Sequence, residues 1–423
     1  MRIRFSKPCR IGGAFIISAY ILLIAGGCGV EDIPVVNEFV EGGGSHQEVT
    51  GETGQTEPYT VAETTGADTV PEPMEPVPAQ KAMVEVEMPP EPETVSEDVI
   101  EYEPVRIVFT GDMNFDKRYA NMNTLAQRGG EMDGALDENI ITLMQEADIT
   151  MINNEFPYSD RGSPTPEKKF TFRAEPSTVH YLQDLGVDIV GLANNHAYDY
   201  GPDALLDTLD TLSEAGIQYV GAGRDIADAM TPRYIEAGGM TIAFTAATQI
   251  ERSLPPDTKE ATETDPGVLR TLDPEKYLQV IAEADQNADF TIAFVHWGSE
   301  NVFEYEAAQK ELAEKYAEAG ADLIIGAHPH VLQGFEYIGD VPVVYSTGNF
   351  WFNSKTLDSC MIEATINEGV LEELRFIPCI QKGCFTSMLH KGDSDFDRIL
   401  SDQISRSADN IELSEDGIIT GKP

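Results

Sequence analysis

From Val105 onward the hydrophobic positions follow two different periods. Short apolar runs rich in Ile, Val and Phe break into Gly, Asp, Asn or His: "VRIVFTGD", "ITMINNE", "DIVGLANNH", "IQYVGAG", "MTIAFTAAT", "FTIAFVHWG", "DLIIGAHPH" and "VPVVYSTGNF". Runs of this length and β-branched content, bounded by turn formers, predict strands. Between several of them lie "DENIITLMQEA", "STVHYLQDLG", "GPDALLDTLDTLSEAG" and "YEAAQKELAEKYAEAG", whose apolar residues recur at helical spacing. Strand and helix in repetition predict an α/β domain with a largely parallel, buried sheet flanked by helices. After Val341 the helices drop out, and "VPVVYSTG", "CMIEATIN" and "VLEELRFIPC" predict an antiparallel portion that forms a second sheet. A last helix is expected near Asp395 to Arg406, and no internal repeat or second independent core is visible.

The first 103 residues follow neither period. Basic Arg2, Arg4, Lys7 and Arg10 precede an apolar stretch from Ala14 to Ala25 and then Gly26-Gly27-Cys28. The stretch is short for a membrane span, which needs roughly 20 residues, and the order basic, apolar, small is that of an export signal. Residues 1–28 are therefore read as a signal peptide, with Cys28 the lipidation site of a lipobox-like end. Residues 29–103, rich in Glu, Pro, Thr and Gly with Lys81 as their only basic residue, cannot bury enough apolar surface to offset their chain entropy. They read as an extended acidic tether, leaving residues 104–423 as the folded domain, outside the cytoplasm and anchored to the membrane.

Charge narrows the partners. Lys and Arg number 28 against 73 Asp and Glu, a formal net of −45. Nucleic acid is excluded as a partner, because phosphate binding needs a basic surface. Beyond Cys28 only Cys360, Cys379 and Cys384 remain, too few for a zinc ribbon, and spacing alone leaves a Cys379–Cys384 bridge open.

In open α/β sheets functional side chains collect at the carboxyl ends of strands. Those ends carry Asp112, Glu155, Asn195 with His196, His296 with Glu300, and His328 with His330, four of the chain's seven histidines among them. His328 and His330, two apart on an extended segment, are expected to face one ion. Imidazole and carboxylate together suit Zn, Mn or Fe, and Glu155 is placed to bridge two ions. In "PEKKFTFRAEP", Arg173 and Lys169 are candidates for gripping a carboxylate or phosphate, while Lys168 reads as a solvated loop charge. Asp199 can orient His196 or cap the next helix, and the Gly201-Pro202 pair favours the cap.

The motifs "GDMNFD", "NNEFP", "LANNHAYDYG", "HWGSE", "GAHPHVLQG" and "YSTGNFWF", in that order, resemble the CapA proteins of bacterial capsule and poly-γ-glutamate synthesis. That family is in turn similar to the calcineurin-like metallophosphoesterases. The resemblance implies a metallophosphoesterase-like four-layer αββα sandwich with mixed sheets and one or two divalent ions. It implies Asp112, Glu155, Asn195, His296, His328 and His330 as metal ligands and His196 as a general acid. Glu300 and Asn349 fall beside them as candidates for substrate binding, with Asn349 alternatively a support for a ligand. One departure stands out: those enzymes open with Asp-x-His, and this chain has Asp112-Met113-Asn114, which weakens the first metal position. Two functions follow as expectations. One is a metal-dependent hydrolase acting on a phosphoester or amide of a cell-envelope polymer. The other is a non-catalytic component, working with a capsule synthase complex, that holds an anionic polymer or its precursor through bound cations.

Overall fold

The computed structural model describes residues 102–250 and 258–422. The signal peptide, Cys28 and nearly all of the tether lie outside the described residues. Two large sheets carry the fold. The eight-stranded sheet runs Thr386–Met388, Val370–Gln381, Leu357–Asn367, Val105–Met113, Ile149–Asn154, Ile189–Gly191, Gln218–Val220, with the short strand Asn349–Trp351 pairing the first strand off this path. The six-stranded sheet runs Phe335–Ile338, Val341–Val344, Leu323–Ala327, Phe290–His296, Met240–Thr248, Arg233–Ala237. Both sheets are mixed: the strands with functional ends run parallel, antiparallel strands close both edges of the six-stranded sheet and one edge of the eight-stranded sheet, and the parallel strand Gln218–Val220 forms its other edge.

Alternation along each strand explains the layers. Successive side chains point to opposite faces. Ile107, Phe109, Ile149, Met151 and Ile189 of the first sheet share one core with Phe244, Phe290, Ile292, Phe294 and Ile325 of the second. Their neighbours Val108, Ile152 and Val190 point the other way, into a core with Ile140, Met144, Leu182, Leu205 and Leu209 from helices. On the far side Ala293, Val295 and Ile324 meet Tyr277, Ile281, Leu312 and Tyr316. The result is helix, sheet, sheet, helix, the expected αββα order.

The helices begin and end where their local chemistry dictates. Asp137 accepts from the Ile140 N–H at 3.0 Å to start Glu138–Glu146. Glu306 and Gln309 form a reciprocal capping box on Ala307–Ala319, which ends on Gly320 at φ 114°. The last helix, Ser394–Arg406, falls where the sequence puts it.

One expectation is corrected. The Leu357–Asn367 and Val370–Gln381 hairpin does not make a second sheet but extends the first, pairing antiparallel with Val105–Met113. Val341–Val344 instead joins the other sheet, parallel to Leu323–Ala327. Among the described residues, no helix is long and apolar enough to cross a membrane.

Candidate metal centre

Parallel strands bring their carboxyl ends to one edge, and the two sheets face each other there. Asp112 ends the first strand in register with Asn349 and Asn153. The close approach behind it requires glycine: a Cβ on Gly111 would lie 1.9 Å from the Gly348 carbonyl oxygen, and the Asp112 N–H donates to that same oxygen at 2.9 Å.

From these ends the predicted ligands converge. Glu155, His296 and His328 bring one ligand atom each within 4.8 Å of one another, and so do Asp112, Glu155 and His330. Glu155 is common to both groups. Asn195 Oδ1 lies 2.8 Å from His296 Nε2, which is also 3.6 Å from Glu155 Oε1. His328 and His330 do not face the same group as an extended segment would require. Both take positive φ, 99° and 59°, so the chain bends through Pro329 and sends one imidazole to each group. Backbone in that region is costly for a residue with a Cβ and persists only where the surroundings enforce it.

The two groups are not equally satisfied. Asp112 Oδ1 accepts from Asn153 Nδ2 at 2.7 Å, its Oδ2 lies 2.8 Å from His330 Nδ1, and Asn349 Oδ1 lies 3.0 Å from the same nitrogen. Asn114, where a histidine stands in the phosphoesterases, turns its Oδ1 to the Asp116 N–H at 2.8 Å. In contrast, both oxygens of Glu155 are buried with no hydrogen-bond partner among the described residues, as is Nδ1 of His328. Burying an unpartnered carboxylate is expensive unless a proton or a cation meets it. Burial first, then the charges of Asp112 and Glu300, raise the Glu155 pKa well above the usual carboxylate range. Burial and neighbouring imidazoles hold His296 and His328 well below the ordinary histidine value. At His330 burial pulls downward, but the hydrogen bond and charge of Asp112 outweigh it, and its pKa is raised. A carboxylate lacking donors among neutral imidazoles fits a divalent cation. Glu155, His296 and His328, with Asn195, can hold one ion; Asp112, Glu155 and His330 can hold a second, in a group whose members already pair with each other.

Beside this cluster sits a second constellation. Asp199 Oδ2 lies 2.7 Å from His196 Nδ1 and accepts from the Phe172 N–H at 2.6 Å. Its other oxygen accepts from Lys168 Nζ at 2.6 Å, in a pair whose side chains are 4% and 0% exposed. Lys168 also donates to the Asn195 carbonyl, and the Phe172 ring covers the His196 imidazole with centroids 4.1 Å apart. Two expectations fail here. Asp199 is no helix cap: Pro202–Glu214 starts after Gly201 at φ 83° with no side-chain cap, and Asp199 orients His196 instead. Lys168 is no solvated charge but the buried partner of Asp199.

With Nδ1 held, His196 turns Nε2 toward the cluster, 3.9 Å from Glu155 Oε1. Burial leads in lowering its pKa despite Asp199. The remaining candidates stand farther out. Arg173 lays its guanidinium over Tyr200 at 4.2 Å and donates to the Arg161 carbonyl at 3.2 Å, while Lys169 lies 4.8 Å from the Phe170 ring centroid. Glu300 is exposed and acts on Glu155 and His330 through its charge alone. Sequence reasoning missed Asn153 and Asn194. Asn194 Oδ1 accepts from the His196 N–H at 3.0 Å, and both amides stood in the quoted strand ends. Cys360, Cys379 and Cys384 are buried free thiols.

Residues 106–354, which span all six motifs, match the family described as Bacterial capsule synthesis protein PGA_cap. The chain is 30% identical over 279 residues to the PGA biosynthesis protein CapA of Bacillus subtilis (strain 168), covering 65% of this chain and 70% of that protein. It is 33% identical over 225 residues to the Capsule biosynthesis protein CapA of Bacillus anthracis, covering 51% of this chain and 54% of that one, about half its length. A solved structure described as a novel phosphatase from Mycoplasma pneumoniae aligns with a TM-score of 0.43 at 11% identity, over 66% of this chain and 95% of that one.

Proposed function

Because the chain belongs to the bacterial capsule synthesis protein family, we propose that its folded domain is an extracytoplasmic, metal-dependent hydrolase of a capsule or cell-envelope polymer such as poly-γ-glutamate, cutting a phosphoester or amide bond. The observation that carries this reading is Glu155: a fully buried carboxylate with no donor among the described residues, facing three imidazoles and Asp112. A divalent cation there supplies Lewis acidity that polarises a phosphoryl or carbonyl oxygen and makes water acidic at neutral pH.

The chain's own residues do the rest. Asp199 accepts the Nδ1 proton of His196 and leaves Nε2 facing the cluster as the nitrogen that exchanges a proton: Nε2 takes one up to form the imidazolium, which the Asp199 carboxylate stabilises against burial, and gives it to the leaving oxygen or nitrogen. Lys168 and the Phe172 N–H fix both oxygens of Asp199, and the Phe172 ring shields the imidazole from water. Asn349 and Asp112 hold His330 by its Nδ1. The signal peptide and Cys28 supply export and membrane anchoring in this reading.

A second reading has its own support in Asn114. With its oxygen engaged by Asp116, the Asp112 group has lost a ligand type, and a site with one firm ion serves polymer binding as well as hydrolysis. Metal analysis, followed by a panel of phosphoesters and γ-glutamyl peptides with wild type and His196→Ala, separates the two. Turnover that needs His196 supports the hydrolase; metal-loaded protein that turns over nothing in the panel supports the binding role.

A further inference from the structure

A cavity of about 310 Å³ lies against the segment that carries Lys168 and Phe172, outside the ligand cluster. Ser163, Thr165 and Pro166 form one wall, Tyr198 another, and Thr258 with Lys259 a third. The first wall is fixed, since the Thr165 N–H and Oγ1 both donate to the Asp199 carbonyl, at 2.8 and 3.1 Å. Tyr198 sits between His196 and Asp199 in the chain. The recess therefore shares its frame with the proton-handling residues.

Two of its polar groups are unspent. Thr258 Oγ1 is shut off from solvent and, among the described residues, has no hydrogen-bond partner, a state that costs free energy unless another group meets it. Lys259 is exposed, with its ammonium 5.8 Å from the Tyr198 ring centroid, and among the described residues no carboxylate pairs with it. In a chain with 73 acidic residues against 28 basic ones, a cation resting on a ring rather than a carboxylate is kept available. The volume is at the small end of ligand pockets, which run from about 300 Å³, and suits one short unit rather than a long segment.

We infer that this recess binds one unit of a γ-linked glutamyl chain through its pendant α-carboxylate: the main-chain methylenes of that unit lie against Tyr198 and Pro166, the carboxylate meets the Lys259 ammonium, and the Thr258 hydroxyl donates to it. The choice of a glutamyl unit rests on the capsule-polymer reading; the carboxylate class rests on Lys259 and Thr258. A chain held here has one unit beside the segment that positions His196.

Calorimetric titration of the purified full chain with glutarate, glutaramide and a γ-linked triglutamate tests this. The expected result is binding of glutarate and triglutamate, with glutaramide weaker by about 10-fold or more, the loss typical of a charge-assisted hydrogen bond. Lys259→Met weakens glutarate by a similar factor, Lys259→Arg restores most of it, and Thr258→Val costs about 3- to 10-fold. Equal affinity for glutarate and glutaramide, or a folded Lys259→Met that binds like wild type, overturns the inference. So does wild type that binds none of the three while still holding metal and turning over substrate, which leaves the hydrolase standing. Conversely, Glu155→Gln should lose metal and turnover yet bind glutarate as wild type does, and wild type that binds glutarate but holds no metal and turns over nothing counts against the hydrolytic reading alone.

Discussion

On the His196 side of the buried site, the imidazole Nδ1, both oxygens of Asp199 and the Lys168 ammonium all find partners inside the chain. A few ångströms away Glu155, equally buried, has none, and His328 leaves its Nδ1 unpaired. Both regions lie at the ends of parallel strands and both hold charged side chains away from water. The first is finished by the fold, so it is preorganised and neutral overall in its Lys–Asp pairing. The second is stable only with a proton on Glu155 or with something that the chain does not contain. In the proposed function, that contrast separates a part assigned to proton transfer from a part assigned to a cation.

The strongest break would come at His196. His196→Ala should lower the rate on any panel substrate by about 10²- to 10⁴-fold, the usual worth of a positioned acid, with metal content unchanged by elemental analysis. Loss of metal together with rate would merge the two regions and refute the division.

Lys168→Met tests how far the finished side depends on its ion pair. Removing one member of a buried pair leaves the other charge uncompensated and typically costs about 3–5 kcal/mol, readable as a shift in the denaturant midpoint. Lys169→Met, at an exposed position on the same segment, should stay within about 0.5 kcal/mol of wild type. Equal effects of the two would return Lys168 to the role of a surface charge.

Asn349→Ala sharpens the contrast inside the cluster. Among the described residues its Oδ1 supports His330 alone, so metal affinity should fall by about 10- to 100-fold at one site. With two ions bound, a two-step titration should lose its weaker step and keep the stronger one, which the Glu155, His296 and His328 group supplies.

A smaller effect follows from pH. The raised pKa values of Glu155 and His330 mean that protons compete with the ion for these groups. Falling pH protonates them and weakens binding; rising pH frees them and strengthens it. Affinity should climb by at most about tenfold per pH unit for each proton displaced, until the ligands are fully deprotonated. A flat profile between acid and neutral pH would place the metal elsewhere.

Much of this arrangement was legible in the sequence, for a definite reason. Short apolar runs ending in Asp, Glu, Asn or His fix both the strand and the end at which its polar residue stands, and parallel pairing brings those ends together. Asp112, Glu155, Asn195, His296, His328 and His330 meet for that reason. What periodicity does not encode is the path of a loop. Lys168 stands in a segment of Ser, Pro, Thr and Lys with no repeat to place it, and its burial is decided by contacts with Asp199 and Asn195 at a distance of about 30 positions. The opposite directions of His328 and His330 likewise depend on positive φ angles that their residue types do not announce. The hairpin after Leu357 was legible as antiparallel strands, but its placement on the first sheet depends on pairing with residues some 250 positions earlier.

Elemental analysis of the purified chain, paired with thermal melts with and without chelator, bears most directly on Glu155. Wild type should carry a divalent ion and melt several degrees lower once it is stripped, whereas Glu155→Gln should carry little metal and melt alike in both conditions. Wild type that is metal-free, and whose melting does not move on addition of Mn, Zn or Fe, would contradict the account.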